Sequence, residues 1–382
     1  MIEWKKIKIS DLGKVITGNT PPRKNPELYG EHTIFIKPTD VSEGEKYTYN
    51  PEECYSELGF NKYKNSLIPK GSTCVVTIGS IGKKMTKAHC DCFINQAMNA
   101  VIPNKYYDEE FVFYVLKYNL VQLKTLDSGT ASGRENVSKS SFSNINLLVP
   151  AEKKIQHKIG SILSAYDDLI ENNLKRIKLM EETLQIILNK LSKETDSNPS
   201  LIYPEIADFE KGFEPGSNNY VEENSNRLIP FIRVGDLSSR ESKLYISSEL
   251  KGIKMTQSDD ILISMDGSIG IVSVGINGAY SSGIRKVVLK NELLKGLIYA
   301  FLKSSTGQSQ IMTFAKGSTI LHASSCIPKL KVFLPNEKKF KNELELSNSC
   351  LDQIIKLINQ NKKLKESRDI LLPKLMNGTI NV

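Results

Sequence analysis

Residues 152–192 read EKKIQHKIGSILSAYDDLIENNLKRIKLMEETLQIILNKLS. Apolar residues recur in this segment at alternating spacings of four and three from Ile159 to Leu191, and Asn173 is the one polar residue on the seam that they form. This alternation is the heptad pattern of a coiled-coil helix. Because the segment contains no proline, we predict one helix of about 40 residues, roughly 60 Å long at 1.5 Å per residue.

A second heptad pattern lies near the end of the sequence. Its seam is made of Cys350, Ile354, Leu357, Asn361, Leu364, Arg368, Leu371 and Leu375. It is weaker than the first because it carries Arg368, and Pro373 is expected to kink or end its last turn. Helices this long exceed the width of a domain of about 150 residues, so we expect the two to pair as an antiparallel coiled coil. The alternative is that each helix packs against its own domain.

The rest of the sequence is an internal repeat, a feature that determines the whole architecture. Four segments recur in the same order at offsets of 185 to 196 residues. The pairs are 35–40 (FIKPTD) with 231–236 (FIRVGD), 79–82 (GSIG) with 267–270 (GSIG), 129–130 (GT) with 317–318 (GS), and 149–154 (VPAEKK) with 334–339 (LPNEKK). The ordered recurrence indicates two copies of one unit.

Each copy begins with a globular part that is rich in short β-like runs, such as 73–78 and 260–265, broken by Gly, Pro, Asn and Ser. The predicted fold is α+β: two tandem-repeated globular domains separated by two long helices, arranged as a dumbbell with a pseudo-two-fold axis. We assign the globular domains to 1–150 and 197–335 and the long helices to 151–196 and 336–382.

Composition and charge exclude several classes of protein. The 382 residues carry 51 basic and 43 acidic side chains, a net charge of +8, and 40% are hydrophobic. This is a globular composition and not that of a disordered, collagen-like or disulfide-stapled chain. The six irregularly spaced cysteines indicate reduced thiols, and the absence of a long apolar run disfavours a membrane protein. The net charge permits binding to nucleic acid without arguing for it.

Several motifs carry a resemblance to a known family. They are 18–21 (GNTP), 35–40 (FIKPTD), 79–83 (GSIGK) followed by Asn95-Gln96, 150–154 (PAEKK) with 162–170 (ILSAYDDLI), and 368–378 (RDILLPKLMNG). In these motifs and in their order, the sequence resembles the DNA-specificity subunits of type I restriction-modification enzymes. The second copy departs from the pattern, since 212–215 (GFEP) replaces the first motif and 281–283 (SSG) stands where Asn-Gln is expected.

The resemblance implies a non-catalytic, cytoplasmic chain of a bacterium or archaeon. Each globular domain would be a target-recognition domain that reads one half of a bipartite site in double-stranded DNA. Two methyltransferase subunits would dock on the helices, and restriction subunits would complete the nuclease. S-adenosylmethionine, ATP and Mg are expected in those partners and no cofactor in this chain. The sequence has neither a phosphate-binding P-loop nor a dinucleotide-binding glycine fingerprint. We expect no metal site, and residues 89–92 (HCDC) are interpreted as a strand with buried thiols.

The candidate DNA contacts come from the repeated turns and from basic or amide side chains nearby. Turn glycines bring backbone N–H groups close to phosphate, although an ordinary hairpin turn would look the same. Arg is the commonest base reader, although surface ion pairing is the alternative for Lys37 and Arg233. The candidates are Lys37, Gly79, Ser80, Gly82, Lys83, Lys84, Arg134, Asn136, Arg233, Gly267, Ser268, Gly270, Arg285, Lys286 and His322. The predicted docking helices are represented by Tyr166, Ile170, Ile177, Leu184, Ile354, Leu357 and Leu364.

Two other functions remain open at this point. The chain could serve a related system in which the nuclease is fused to the methyltransferase. It could also be a bivalent protein-binding scaffold with no role on DNA. Salt dependence separates the scaffold from the DNA-binding functions, because phosphate contacts weaken steeply with salt.

Overall fold

The computed structural model describes residues 2–127, 135–195, 198–222, 225, 227–316 and 321–382. Contacts between residues divide the chain into two compact units. Unit 1 comprises Met1–Ile170 and Lys363–Val382, and unit 2 comprises Glu171–Lys362. Each unit therefore contains one globular domain together with part of each long helix. The sequence-based division into four segments stays a prediction.

Unit 1 places its strands before the first long helix. Its short helix Glu109–Asn119 begins after Asp108, whose carboxylate caps the helix by accepting the N–H groups of Glu110 and Phe111 at 3.0 Å. The strands are Trp4–Lys8, Gly13–Thr17, Tyr29–Gly30, Thr33–Ile36, Glu53–Tyr55, Thr73–Val76, Met85–Lys87, Phe93–Ile94, Met98–Pro103 and Asn146–Pro150. The α-helices are Ile9–Leu12, Glu57–Tyr63, Glu109–Asn119, Lys139–Ser143, the beginning of Lys153–Lys193 and the end of Lys341–Met376, and 3₁₀ turns lie at Pro26–Leu28, Lys64–Ser66 and Leu120–Leu126.

Unit 2 repeats this arrangement. Its helix Ser305–Thr313 begins after Ser304, whose hydroxyl accepts the N–H of Gly307 at 3.0 Å. The strands are Ser200–Leu201, Ala207–Lys211, Leu228–Ile232, Tyr245–Ser247, Met255–Thr256, Ile261–Ser264, Val272–Ser273, Gly278–Tyr280, Ile284–Leu289 and Lys331–Val332. The helices are the rest of Lys153–Lys193, Asp236–Ser239, Lys295–Lys303, Ser305–Thr313 and most of Lys341–Met376, with a π-type turn at Ile202–Ile206 and 3₁₀ turns at Ser217–Asn219, Glu292–Leu294 and Ser324–Lys329.

The sheets of the two units have the same strand order except for one edge strand of the second sheet. In unit 1, one antiparallel sheet has the strand order Gly13–Thr17, Met98–Pro103, Thr73–Val76, Met85–Lys87, and in unit 2 its counterpart is Ala207–Lys211, Ile284–Leu289, Ile261–Ser264, Val272–Ser273. A second, mixed sheet in each unit contains one parallel pair, Thr33–Ile36 with Phe93–Ile94 and Leu228–Ile232 with Gly278–Tyr280. The predicted mixture of helices and sheets in an internal repeat is confirmed.

Backbone hydrogen bonds identify the segments of unit 2 that correspond to two sequence motifs found only in unit 1. The N–H of Gly18 donates to Met98 O and that of Gly212 to Ile284 O. A Cβ at either glycine would lie 2.1–2.2 Å from a neighbouring carbonyl oxygen, so only glycine fits there. Similarly, the N–H of Asn95 donates to Ile36 O, and that of Ser281 donates to Ile232 O. Residues 212–215 and 281–283 are therefore the counterparts of 18–21 and 95–97.

In each unit the long helices share an apolar core with the globular domain. Phe111, Leu163 and Leu375 belong to one core cluster of unit 1. Leu184, Leu297 and Ile354 belong to the main cluster of unit 2. Burial of these apolar surfaces is the main force that fixes helices on domains. The first part of each long helix thus packs against the domain that precedes it, as the alternative expected, whereas its last part packs against the other domain.

The polar residues of the two seams are buried and paired. In unit 2, Asn173 Nδ2 donates to Asn361 Oδ1 at 2.8 Å. In unit 1, Arg368 has a side chain only 2% exposed and forms an ion pair with the equally buried Asp167. Arg368 is therefore not a defect of the second heptad pattern. The second long helix continues through Pro373 and ends at Met376.

Candidate nucleic-acid interface

Two equivalent hairpin turns form the centre of the candidate interface. Residues 79–82 connect strands Thr73–Val76 and Met85–Lys87, and residues 267–270 connect Ile261–Ser264 and Val272–Ser273. Gly82 and Gly270 have φ values of +70° and +80°, which favour glycine. A Cβ at Gly270 would also lie 2.5 Å from Gln308 Oε1. The glycines predicted from sequence are thus required by the turn itself.

Part of the backbone of these turns is already hydrogen-bonded. The N–H of Gly79 donates to Glu135 O at 3.0 Å, and the N–H of Gly267 donates to Leu321 O at 2.8 Å. Ser80 and Ser268 are exposed at the tips of the turns. The hypothesis that the turns contact phosphate therefore applies to their tips and not to the N–H groups of Gly79 and Gly267.

A short segment follows the same edge of the sheet beside each turn. Ile78 pairs with Asn136 in an antiparallel bridge in unit 1, and Asp266 pairs with His322 in the same way in unit 2. His322 is exposed, and its Nδ1 lies 2.7 Å from Asp266 Oδ1. The structure therefore brings the predicted residues Asn136 and His322 beside the predicted turns.

Lys37 and Arg233 lie in a second pair of equivalent turns. The backbone N–H of Lys37 donates to Asp40 Oδ2 at 2.7 Å, and that of Arg233 donates to Asp236 Oδ2 at 2.9 Å. Lys37 Nζ lies 2.6 Å from Glu52 Oε2, so its charge is already paired within the domain. Arg233 is exposed, and the described residues give its guanidinium no ion pair. The guanidinium of Arg233 is thus more available to bind a ligand than the ammonium group of Lys37.

A third pair of loops was not assigned to DNA from the sequence. The Thr20 hydroxyl is hydrogen-bonded to Gln96 Oε1 in unit 1, and Ser282 Oγ lies 3.3 Å from Glu214 Oε2 in unit 2. These loops lie beside the turns, because Thr77 N donates to Ala97 O and Met265 N donates to Gly283 O. The motif 18–21 was visible in the sequence, but its contact with residue 96 was not.

We call these segments loop cluster 1 (18–21, 37–40, 78–84, 95–97 and 135–136) and loop cluster 2 (212–215, 233–236, 266–270, 281–283 and 321–322). Lys83 is exposed in cluster 1, and Lys84 Nζ reaches Pro38 O at 3.0 Å. Arg134 lies outside the described residues. Every remaining candidate of unit 1 belongs to cluster 1.

Arg285 and Lys286 require a correction. Arg285 is only 7% exposed, and its guanidinium donates to Ser282 O, Ile284 O and Ser324 Oγ. Burial lowers the pKa of this guanidinium. Lys286 Nζ lies 3.2 Å from Glu210 Oε2 on the neighbouring strand. Both side chains are paired within the domain and hold its loops and strands, and Arg285 is too buried to reach a ligand.

The residues chosen to represent partner docking also require a correction. Ile170, Ile177, Leu184, Ile354 and Leu357 are at most 8% exposed. Tyr166 and Leu364 are half-buried. A heptad seam is the face that a helix buries, so a further protein would contact other side chains of these helices.

A family model described as the type I restriction modification DNA specificity domain matches residues 1–182 and 204–367. The chain belongs to this family. The resemblance noted in the sequence is thereby confirmed, and the two matched segments correspond to the two copies of the repeat. DNA sequence recognition is the role that this family's description assigns.

Individual proteins similar to this chain are also specificity subunits of type I systems. The chain is 25% identical over 414 residues to the type I restriction enzyme MjaIX specificity subunit of Methanocaldococcus jannaschii, a match that covers all of this chain and 94% of the relative. It is 28% identical over 183 residues to the HindI specificity subunit of Haemophilus influenzae, which covers 47% of this chain and 39% of the relative. The S subunit of a type I system from M. genitalium has a similar fold, with a TM-score of 0.57, 16% identity and coverage of 100% and 97%.

The described residues contain no candidate metal cluster and no candidate membrane span. No group of three or more His, Cys, Asp or Glu side chains that could hold a metal ion occurs within the described residues. In the same part of the chain, every helix lacks either the length or the apolar character that crossing a membrane requires.

Proposed function

We propose that this chain is the specificity subunit of a type I restriction-modification enzyme and that each globular domain reads one half of a bipartite site in double-stranded DNA. One observation carries the proposal. Loop clusters 1 and 2 have the same backbone arrangement, but their side chains differ at equivalent positions. Lys37 corresponds to Arg233, and Asn136 corresponds to His322. Since bases are distinguished by the donors and acceptors presented to them, two such clusters suit two different half-sites.

The long helices are proposed to form an antiparallel coiled coil that sets the spacing between the half-sites. The composition of the units supports this pairing, because each unit contains the beginning of one helix and the end of the other. The buried Asn173–Asn361 pair is typical of a polar seam position that fixes the register of a coiled coil. The chain itself is proposed to be non-catalytic, with S-adenosylmethionine, ATP and Mg bound by methyltransferase and restriction subunits.

Arg233→Ala tests the role of loop cluster 2. Loss of an exposed guanidinium that contacts a base costs about 1–3 kcal/mol of discrimination, so we expect one half-site to be relaxed about tenfold or abolished while the other is unchanged. Sequencing of methylated adenines in cells that carry the variant measures this. Lys37→Ala is the matched control at the equivalent position and should have the smaller effect, because Lys37 is paired with Glu52. Unaltered methylation specificity in Arg233→Ala would contradict the assignment.

Docking of two methyltransferase subunits is proposed to use apolar side chains outside the seams. Ile162 and Ile370 are 37% and 61% exposed on the helices of unit 1. Leu346 and Ile186 are 51% and 68% exposed on those of unit 2. The two pairs are equivalent, since the same 184 residues separate Ile162 from Leu346 and Ile186 from Ile370. Two equivalent apolar pairs support two identical partners, one on each unit.

Ile186→Glu and Ile370→Glu test this docking. Each places a charge in the centre of one proposed interface, where hot-spot residues contribute about 2 kcal/mol or more. We expect each variant to bind one methyltransferase subunit where the unaltered chain binds two, and the double variant to bind none. Mass measurement of the purified complexes reads this out. Leu148→Glu is the control, because Leu148 is 49% exposed on a strand and not on a helix. Full complexes with both helix variants would reject these residues as the docking surface.

A further inference from the structure

We propose that Asp266 and His322 act as one oriented pair that determines which base the second globular domain accepts at one position of its half-site. This inference rests on the proposed function. It assigns to loop cluster 2 a specificity element that loop cluster 1 lacks.

The pair has a defined hydrogen-bonding direction. His322 Nδ1 lies 2.7 Å from Asp266 Oδ1, and the side chains are 62% and 28% exposed. An ionised carboxylate only accepts hydrogen bonds, so Nδ1 carries the proton. In the neutral ring, Nε2 is then left as an acceptor. An exposed acceptor is complementary to the amino groups of adenine N6 and cytosine N4 in the major groove and not to guanine or thymine.

The backbone around the pair is held on both sides. Met265 N donates to Gly283 O, and Ala323 N donates to Met265 O, each at 2.8 Å. Gly283 fills the space between Asp266 and the turn that carries Arg233: a Cβ there would lie 3.3 Å from Asp266 Cβ and 2.9 Å from Val234 Cγ2. Asp266 and His322 thus lie beside the turn that carries Arg233, which is another exposed candidate of the cluster.

Arg285 fixes the same loops from inside the domain. Its buried guanidinium donates to Ser282 O at 2.6 Å and to Ser324 Oγ at 2.8 Å. It therefore ties the loop before Gly283 to the segment after His322. Arg285 is a positioning residue, since it acts on the pair through these loops.

Unit 1 supplies the matched control for this pair. Ile78 and Asn136 form the same antiparallel bridge as Asp266 and His322. Isoleucine offers no carboxylate to orient a neighbour, and an asparagine amide presents both a donor and an acceptor. The double variant Asp266→Ile/His322→Asn therefore gives unit 2 the chemistry of unit 1 on an unchanged backbone.

The experiment is sequencing of methylated adenines in cells that carry the chain with its methyltransferase, using unaltered protein, His322→Asn, the double variant and Arg285→Met. In the unaltered protein, one position of the second half-site should accept adenine or cytosine. We expect that preference to fall about tenfold in His322→Asn and in the double variant. Arg285→Met should broaden the same position, and the first half-site should stay unchanged throughout.

The outcomes separate this inference from the proposed function. His322 is exposed, so His322→Asn should fold as the unaltered chain does, and thermal unfolding checks this. If His322 had a purely structural role, its replacement would lower methylation equally at all sites and leave the base preference at this position unchanged. That result would overturn the inference and leave the proposed function standing. If no methylated motif depends on the chain at all, the proposed function and the inference fail together.

Discussion

Replacing Arg368 by methionine is expected to lower the free energy of unfolding by about 3–5 kcal/mol, because removing one partner of a buried ion pair leaves the other charge uncompensated. The residue left behind is Asp167, whose side chain is only 3% exposed. Tyr114 would still donate its hydroxyl to Asp167 Oδ2 at 2.5 Å, but a hydroxyl does not neutralise a carboxylate. Denaturant unfolding followed by circular dichroism measures the loss.

Two further variants give this prediction its controls. Lys190→Met removes the cation of an exposed pair with Glu343 and should cost less than about 1 kcal/mol. The triple variant Arg368→Met/Asp167→Leu/Tyr114→Phe removes the buried ion pair and the tyrosine hydroxyl bonded to it, and it should recover most of the lost stability, since an apolar replacement of a buried pair is often neutral. A loss below about 1 kcal/mol in Arg368→Met alone would contradict the importance of the buried pair.

Replacing Lys117 by methionine is expected to stabilise the protein by up to about 3 kcal/mol at neutral pH. Burial, together with the nearby positive charge of Arg368, lowers the pKa of Lys117 to about 8. Asp167 and Asp369 act in the opposite direction, and Lys365 acts in the same direction as Arg368. Below pH 8 the folded protein therefore carries a destabilising charge on a half-buried side chain, which methionine would remove.

The pH dependence of this effect has a definite sign. Between about pH 8 and the ordinary lysine pKa of about 10.5, the unfolded chain binds more protons than the folded chain, so the unaltered protein gains stability as pH rises. The advantage of Lys117→Met should consequently shrink over this window and vanish above it. Urea unfolding at several pH values measures it, with the exposed Lys62→Met as control. An advantage that stays constant from pH 7 to pH 10.5 would show that charge burial is not its cause.

The long helices and the repeat could be predicted from the sequence because both appear as regular spacings of residues along the chain. A seam from Ile159 to Leu191 and two copies of Gly-Ser-Ile-Gly are visible without any tertiary contact. Arg368 was misjudged because its partner Asp167 lies 201 residues away. Arg285 was misjudged because its residue type suggests exposure, whereas only the fold shows its burial and its three acceptors within the domain.

The proposed docking surface shows a different limit of prediction from sequence. Heptad periodicity identifies the residues that a helix buries, such as Leu184 and Ile354. Apolar residues outside the seam, such as Ile186 and Ile370, do not fit the heptad pattern, so the pattern assigns them no role. Their exposure and their equivalence in the two units become apparent only when burial is known for each side chain.

The proposed function requires the two globular domains to read two half-sites at a fixed separation. The most direct test is to map N6-methyladenine across the genome of the host with and without this gene, in the presence of its methyltransferase. We expect one motif to lose methylation when the gene is absent, and we expect this motif to have two specified parts with a constant non-specific spacer. Methylation that is unchanged without the gene, or lost from a single uninterrupted motif, would contradict it.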